Sequence, residues 1–263
     1  MSPPAARPVE IAPGLHLLST GWAVTEANAY LVGSAAAWVL VDTAWPGRAA
    51  VIRAAADALF GPGSRPTSIY LTHVHPDHSG AAAELARVWR VPVHLHPDEM
   101  RFASGAYLPE YAHPLDRRLI GPALRLVPRR GLAAIQGRNS LQGIARAYDP
   151  ERELPGLPGW ACVPTPGHTA GHAAYLRTQD GVAITGDAVV TVELNSFAGL
   201  FRRRSWPCAP PRCTTWDWRG AAESVARLAA REPVLVAPGH GLPLRTSRRE
   251  LRDLAERMRR SGR

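Results

Sequence analysis

The segment Thr72-His73-Val74-His75-Pro76-Asp77-His78-Ser79-Gly80 constrains this chain more than any other part of it. Three histidines, His73, His75 and His78, fall within six residues, with Asp77 beside the last. The apolar run Thr67–Thr72 ahead of them reads as a buried strand, and a helical pattern follows from about His78 to Trp89. A strand continuing outward puts residues 73, 75 and 77 on one side, because side chains alternate. His78 then turns the corner into the helix. Four ligand-type side chains converge at one strand-to-helix junction, and imidazole with carboxylate suits zinc, iron or manganese rather than calcium. Helix capping explains one His–Asp pair but not four such residues in six positions.

The remainder of the chain alternates strands and helices. Leu15–Ser19, Ala29–Gly33 and Ala37–Asp42 read as consecutive strands, and a helix opens after Pro46 with Val51, Ile52, Ala55, Leu59 and Phe60 on one face. Pro92–His96, Trp160–Val163, Ala173–Thr178, Val182–Thr185 and Val234–Ala237 read as further strands, with helices at Trp216–Arg231 and Leu251–Met258. Ser247 and Glu250 have the spacing of a capping box for the last helix. The rhythm fails between residues 98 and 158, which reads as an irregular insertion of the kind that often covers a site. Strands mixed with helices predict α/β or α+β layering in one domain across residues 1–263.

Composition removes several classes. No run approaches the roughly 18 apolar residues of a membrane span, and the opening MSPPAARPVE lacks the apolar core of a signal peptide. A soluble, cytoplasmic protein without membrane partners is expected. The 3 cysteines make no disulfide framework, and all three are read as bystanders. The net charge is +9, yet every one of the 31 basic residues is arginine. Selection for phosphate binding gives no reason to exclude lysine, so coding bias explains the charge and no specific nucleic-acid partner is expected. A basic chain still favours anionic small molecules.

More ligand-type residues stand at strand ends downstream. Pro164-Thr165-Pro166-Gly167-His168-Thr169-Ala170-Gly171-His172 follows one strand, Gly186-Asp187 ends another, and Pro238-Gly239-His240-Gly241 ends a third. The order HxHxDH, His, Asp, His resembles the metallo-β-lactamase-fold hydrolases over residues 15 to 245, with Asp42 matching the first motif of that family. The resemblance implies an α+β fold, a four-layer αββα sandwich with two metal ions, zinc by preference and iron or manganese as alternatives. It also assigns ligands. His73, His75 and His168 would hold the first ion; Asp77, His78 and His240 the second; Asp187 would bridge both. Asp42 and His172 would support ligands rather than bind metal. A hydroxide shared by two ions would attack the substrate, with Asp77 as the catalytic group that orients it and moves a proton.

Exclusions narrow the branch. Asp187 stands where a dedicated β-lactamase usually has cysteine or serine. The Thr-Pro-Gly-His-Thr-x-Gly-His stretch is similar to glyoxalase II enzymes, but their lysine contacts are missing. Val190 occupies the position where quorum-quenching lactonases usually carry tyrosine. The opening Asn28-Ala29-Tyr30-Leu31-Val32 resembles small-molecule hydrolases rather than nucleases. The expected activity is hydrolysis of an ester, thioester or lactone carbonyl; a mono-iron persulfide dioxygenase, a β-lactamase and a nuclease remain as alternatives. Candidate substrate contacts are Tyr107 and Tyr111 in the insertion, Asn195, and the run Arg202, Arg203 and Arg204, which would clamp a carboxylate or phosphate. Trp45, Trp206 and Trp216 are read as exposed and as candidates for a homodimer contact.

Overall fold

A computed structural model describes residues 7–21, 25–106, 108–113, 117, 118, 122, 137, 140–196 and 206–262. Apolar residues at consecutive rather than alternate positions decide the layering. In β3 (Ala27–Ser34) and β4 (Ala37–Val41) nearly every side chain is buried, so both faces of the sheet must be covered. Ala29, Leu31, Trp38 and Leu40 point to one side, where they pack with α1 (Ala49–Phe60) and α3 (Ala82–Trp89). Tyr30, Val32, Val39 and Val41 point to the other and meet Tyr175, Val182 and Ile184 of a second sheet. That sheet turns Ala174, Leu176 and Ala183 outward against α4 (Trp218–Ala229) and α5 (Arg248–Ser261). The result is a mixed α+β sandwich of four layers, helix–sheet–sheet–helix.

The first sheet has strand order β1-β2-β3-β4-β5-β6-β7, with β1 (Val9–Ala12), β2 (Leu15–Thr20), β5 (Ile69–Tyr70), β6 (Val93–Leu95) and β7 (Ala145–Ala147). The second runs β12-β11-β10-β9-β8, from β8 (Trp160–Pro164) through β9 (Ala173–Arg177), β10 (Val182–Gly186) and β11 (Leu235–Pro238) to β12 (Leu244–Arg245). Strand direction positions the site. β4 is parallel to β5 and β10 is parallel to β11, while β9 is antiparallel to both β8 and β10. The C-terminal ends of β8, β10 and β11 therefore lie together, as do those of β4 and β5.

Several boundaries differ from expectation. The strand expected over Thr67–Thr72 is only Ile69–Tyr70, because the chain leaves the first sheet: the Thr72 carbonyl accepts from Ala173 N–H of the second sheet at 2.9 Å. The helix expected over 78–89 is two pieces, α2 (Pro76–Ser79) and α3. Between them Gly80 N–H donates to Ala44 O at 2.9 Å instead of continuing the helix. The interval 98–158 is not a separate excursion throughout. Ala145–Ala147 adds a parallel strand to the first sheet, and Tyr148, Leu154 and Leu157 enter the core between the sheets. Trp45, Trp206 and Trp216 are half-buried rather than exposed, and the Trp45 and Trp216 indoles donate to Thr25 O and Glu110 O.

The expected capping box is present. Ser247 Oγ accepts from Glu250 N–H at 3.3 Å, and Glu250 Oε2 accepts from Ser247 N–H at 2.8 Å. Ser247→Ala should lower stability by about 1 kcal/mol, read as an earlier denaturant midpoint with an unchanged slope. Among the described residues no helix is long and apolar enough to cross a membrane.

Candidate metal centre

Every ligand-type residue picked out in the sequence is delivered by a strand end or by the helix that follows one. Asp42 follows β4, His73 and His75 follow β5, His168 follows β8, Asp187 follows β10 and His240 follows β11. Asp77 and His78 start α2. Their donor atoms form three overlapping groups, His73–His75–His168, His73–His78–Asp187 and Asp77–His78–His240, each with its atoms within 4.8 Å of one another. The Asp187 carboxylate stands between them, with Oδ1 3.3 Å from His78 Nε2, and Oδ2 3.4 Å from His168 Nε2 and 3.5 Å from His240 Nε2. Gly239 makes this crowding possible, since a Cβ there would lie 2.3 Å from Asp187 Oδ1 and 2.5 Å from the His78 ring.

The tautomers follow from the outer hydrogen bonds. Thr72 gives its hydroxyl proton to Asp42 Oδ2 at 2.8 Å, so its oxygen accepts from His73 Nδ1 at 3.1 Å. Thr215 gives its proton to Pro211 O at 2.7 Å and accepts from His168 Nδ1 at 3.0 Å. His78 Nδ1 donates to Asp42 Oδ2 at 2.8 Å, and His240 Nδ1 to Glu26 O at 2.6 Å. With each Nδ1 proton committed, the Nε2 of all four rings faces the centre. His75 is turned the other way, its Nδ1 lying 3.1 Å from His73 Nε2 and 2.9 Å from His168 Nε2. A single His75 proton cannot fully satisfy both lone pairs.

This donor set fits divalent metal ions. His78 Nε2 and Asp187 Oδ1 are buried, face each other at 3.3 Å and have no other hydrogen-bond partner, so the gap calls for a proton or a metal ion between them. Imidazoles backed by carboxylate, hydroxyl or carbonyl acceptors are typical of metal-binding histidine. His172 is engaged elsewhere: its Nε2 accepts from Asp187 N–H at 3.0 Å and its Nδ1 meets Thr165 Oγ1 at 2.7 Å. Both nitrogens are occupied, consistent with a supporting role.

Protonation divides the centre. Burial, reinforced by neighbouring imidazoles, holds His73 and His168 well below the ordinary histidine value, and holds His172 down at about 3. Burial opposes charge on His240 too, but Asp187 and Asp77 overcome it and hold the ring up at about 10. His78 is raised well above its ordinary value in the same way, with Asp187, Asp42 and Asp77 outweighing burial. Asp77 and Asp187 are lowered despite burial, by His78 and His240. At neutral pH His78 and His240 are thus held protonated, and a metal ion bound at their nitrogens would displace those protons. Metal binding should displace about two protons per chain near pH 7.5, and affinity should rise with pH up to about 10. Calorimetry in buffers of different ionisation enthalpy measures this; no net proton release would contradict it.

Other predicted residues are placed unevenly. Tyr111 is half-buried, 5.3 Å from the Trp216 ring, and Trp216 N–H donates to His168 O, so Tyr111 lies beside the turn that carries His168. Asn195 is occupied within its own loop, donating to Pro210 O at 3.0 Å and accepting from Arg212 N–H at 2.6 Å. Tyr107, Arg202, Arg203 and Arg204 lie outside the described residues. Cys162 and Cys208 are buried, and burial pushes their thiols up to about 11 and 12, so both stay protonated at neutral pH. Sequence reasoning missed Thr215, which lies 47 residues from His168 and has no local signal. It noticed Asn28 only as part of a strand motif. Asn28 in fact holds the His240 turn, donating to Pro238 O at 2.9 Å and Gly241 O at 2.7 Å.

A sandwich of two sheets with a histidine–aspartate cluster along one edge defines a metal-site fold shared by known proteins. Residues 22–240 match the metallo-β-lactamase superfamily, and the chain belongs to that superfamily. It is 34% identical over 255 residues to the probable metallo-hydrolase YflN of Bacillus subtilis strain 168, covering 95% of this chain and 92% of that protein. It is 30% identical over 145 residues to a hydroxyacylglutathione hydrolase of Halorhodospira halophila, covering 55% of this chain and 40% of the relative. Among solved structures, the metallo-β-lactamase family protein TTHA1429 from Thermus thermophilus superposes with a TM-score of 0.65 at 24% identity, over 96% of this chain and 80% of that one.

Proposed function

We propose that this chain is a binuclear metal-dependent hydrolase acting on an ester, thioester or lactone carbonyl of a small, preferably anionic substrate. The carrying observation is the Asp187 carboxylate, which lies 3.3 to 3.5 Å from His168 of the His73–His75–His168 group and from His78 and His240 of the Asp77–His78–His240 group. His73, His75 and His168 would hold one ion, Asp77, His78 and His240 the other, and Asp187 would join them. Zinc suits these nitrogen and oxygen donors, as do iron and manganese. Two such ions supply an activated water at neutral pH and polarise the carbonyl.

The chain's own residues then divide the work. Asp77 is 20% exposed against 2% for Asp187, so it is the more accessible of the two carboxylates to solvent and substrate. Its lowered pKa keeps it ionised, so it can accept a hydrogen bond from the attacking water and orient it; a proton it passes to the leaving group would first have to come from that water. Asp42 and His172 keep His78 and the Asp187 backbone in place. The similarity to a hydroxyacylglutathione hydrolase supports a thioester within the substrate class.

Protein purified without added metal or chelator should carry close to two divalent ions per chain and hydrolyse a member of an ester, thioester and lactone panel. One iron per chain with oxygen uptake on a persulfide would overturn this in favour of a dioxygenase.

A further inference from the structure

Glu99 lies in the turn Pro97–Phe102 after β6 and is wholly buried. Its Oε1 accepts from the Thr169 hydroxyl and from Gly171 N–H at 3.0 Å, and its Oε2 from Val74 N–H at 3.2 Å. Val74 stands between His73 and His75; Thr169 follows His168. One carboxylate thus grips both loops that supply the first triad. The approach is tight from the other side as well: a Cβ on Gly171 would lie 2.4 Å from Glu99 N and 2.7 Å from the Asp98 carbonyl carbon. Burial pushes the Glu99 carboxyl up to about 7, against the pull of these hydrogen bonds.

Burying a carboxylate is expensive, and an apolar side chain would fill the same volume at lower cost. The three donors explain the choice. A glutamine presents one acceptor oxygen and one NH2 group, so its nitrogen would face an N–H of one loop, donor against donor. Only a group that accepts at both ends serves Val74 on one side and Thr169 with Gly171 on the other. No hydrogen bond of this clamp reaches Asp77, His78 or His240.

We propose that Glu99 is a positioning residue that ties the His73–His75 loop to the His168 loop and so sets the geometry of the first metal site. The proposal rests on the metal-centre reading above. The probe is Zn2+ in chelator competition, measured in two backgrounds: His240→Ala, which leaves the His73–His75–His168 site, and His168→Ala, which leaves the other. Glu99→Gln should weaken binding about 10-fold in the first background and leave the second unchanged, in the range seen for outer partners of metal ligands. Thr169→Val removes one donor while keeping the carboxylate, and should shift the first background in the same direction by less. Equal losses in both backgrounds, or no loss in either, would overturn the proposal. If the unmutated chain binds no Zn2+ in this titration, the metal-centre reading itself fails.

Discussion

Asp187→Asn should lower kcat/KM by about 10^3-fold or more, equivalent to about 4 kcal/mol of lost transition-state stabilisation. The change keeps the volume of a side chain that is 2% exposed, removes its charge and turns one of its two acceptor oxygens into an NH2 donor. That charge raises the pKa of His240 and His78 against burial and, on the proposed reading, would join the two ions. The variant should fold and retain about one divalent ion per chain where the parent holds two. Metal content and steady-state kinetics on the same preparation test both halves. Two ions with activity within tenfold of the parent would refute the joining role of Asp187.

Asp42→Ala should produce the largest loss of stability. Asp42 Oδ1 accepts from Thr72 N–H at 2.8 Å, and Oδ2 accepts from Thr72 Oγ1 and His78 Nδ1, each at 2.8 Å. It is buried and stands at φ 58°, a left-handed conformation that aspartate tolerates better than most side chains. Alanine leaves a backbone N–H and an imidazole N–H buried without acceptors, at a cost of about 3–5 kcal/mol. For a chain of this size that is a fall in Tm of roughly 10 °C. Asp42→Asn keeps one acceptor oxygen and should fall between the parent and the alanine variant. Thermal unfolding with a chelator present separates this effect from metal binding; an unchanged Tm for the alanine variant would show that the hydrogen bonds carry no stability.

The candidate ligands were legible because metal chemistry uses few residue types and demands them close together. His73, His75, Asp77 and His78 declare themselves by density, and His168, Asp187 and His240 by standing on glycine-bearing turns after apolar runs. The mixture of strands and helices was legible from local patterning, whereas the four-layer arrangement was implied by the resemblance to metallo-β-lactamase-fold hydrolases. Strand ends were less legible: Thr72 reads as strand, yet its carbonyl bonds the opposite sheet. Nothing local reveals a partner across the sandwich. The same applies to the span 98–158, whose last part adds β7 and core residues through contacts with distant segments.

The sequence alone therefore determined which donors are present, their order, and the mixture of strands and helices that carries them. Those properties depend on residue type and on periodicities of two and 3.6, which are local. Tertiary structure decided which nitrogen of each ring faces the centre, because Thr215, Glu26 and Asp42 reach their histidines from 36 to 214 residues away. It decided as well that Glu99, unremarkable in the sequence, grips two ligand loops 25 and 70 residues distant. The physical reason is the same in each case. A hydrogen bond is set by distance and direction in space, and no spacing along the chain encodes it until the sheets have packed.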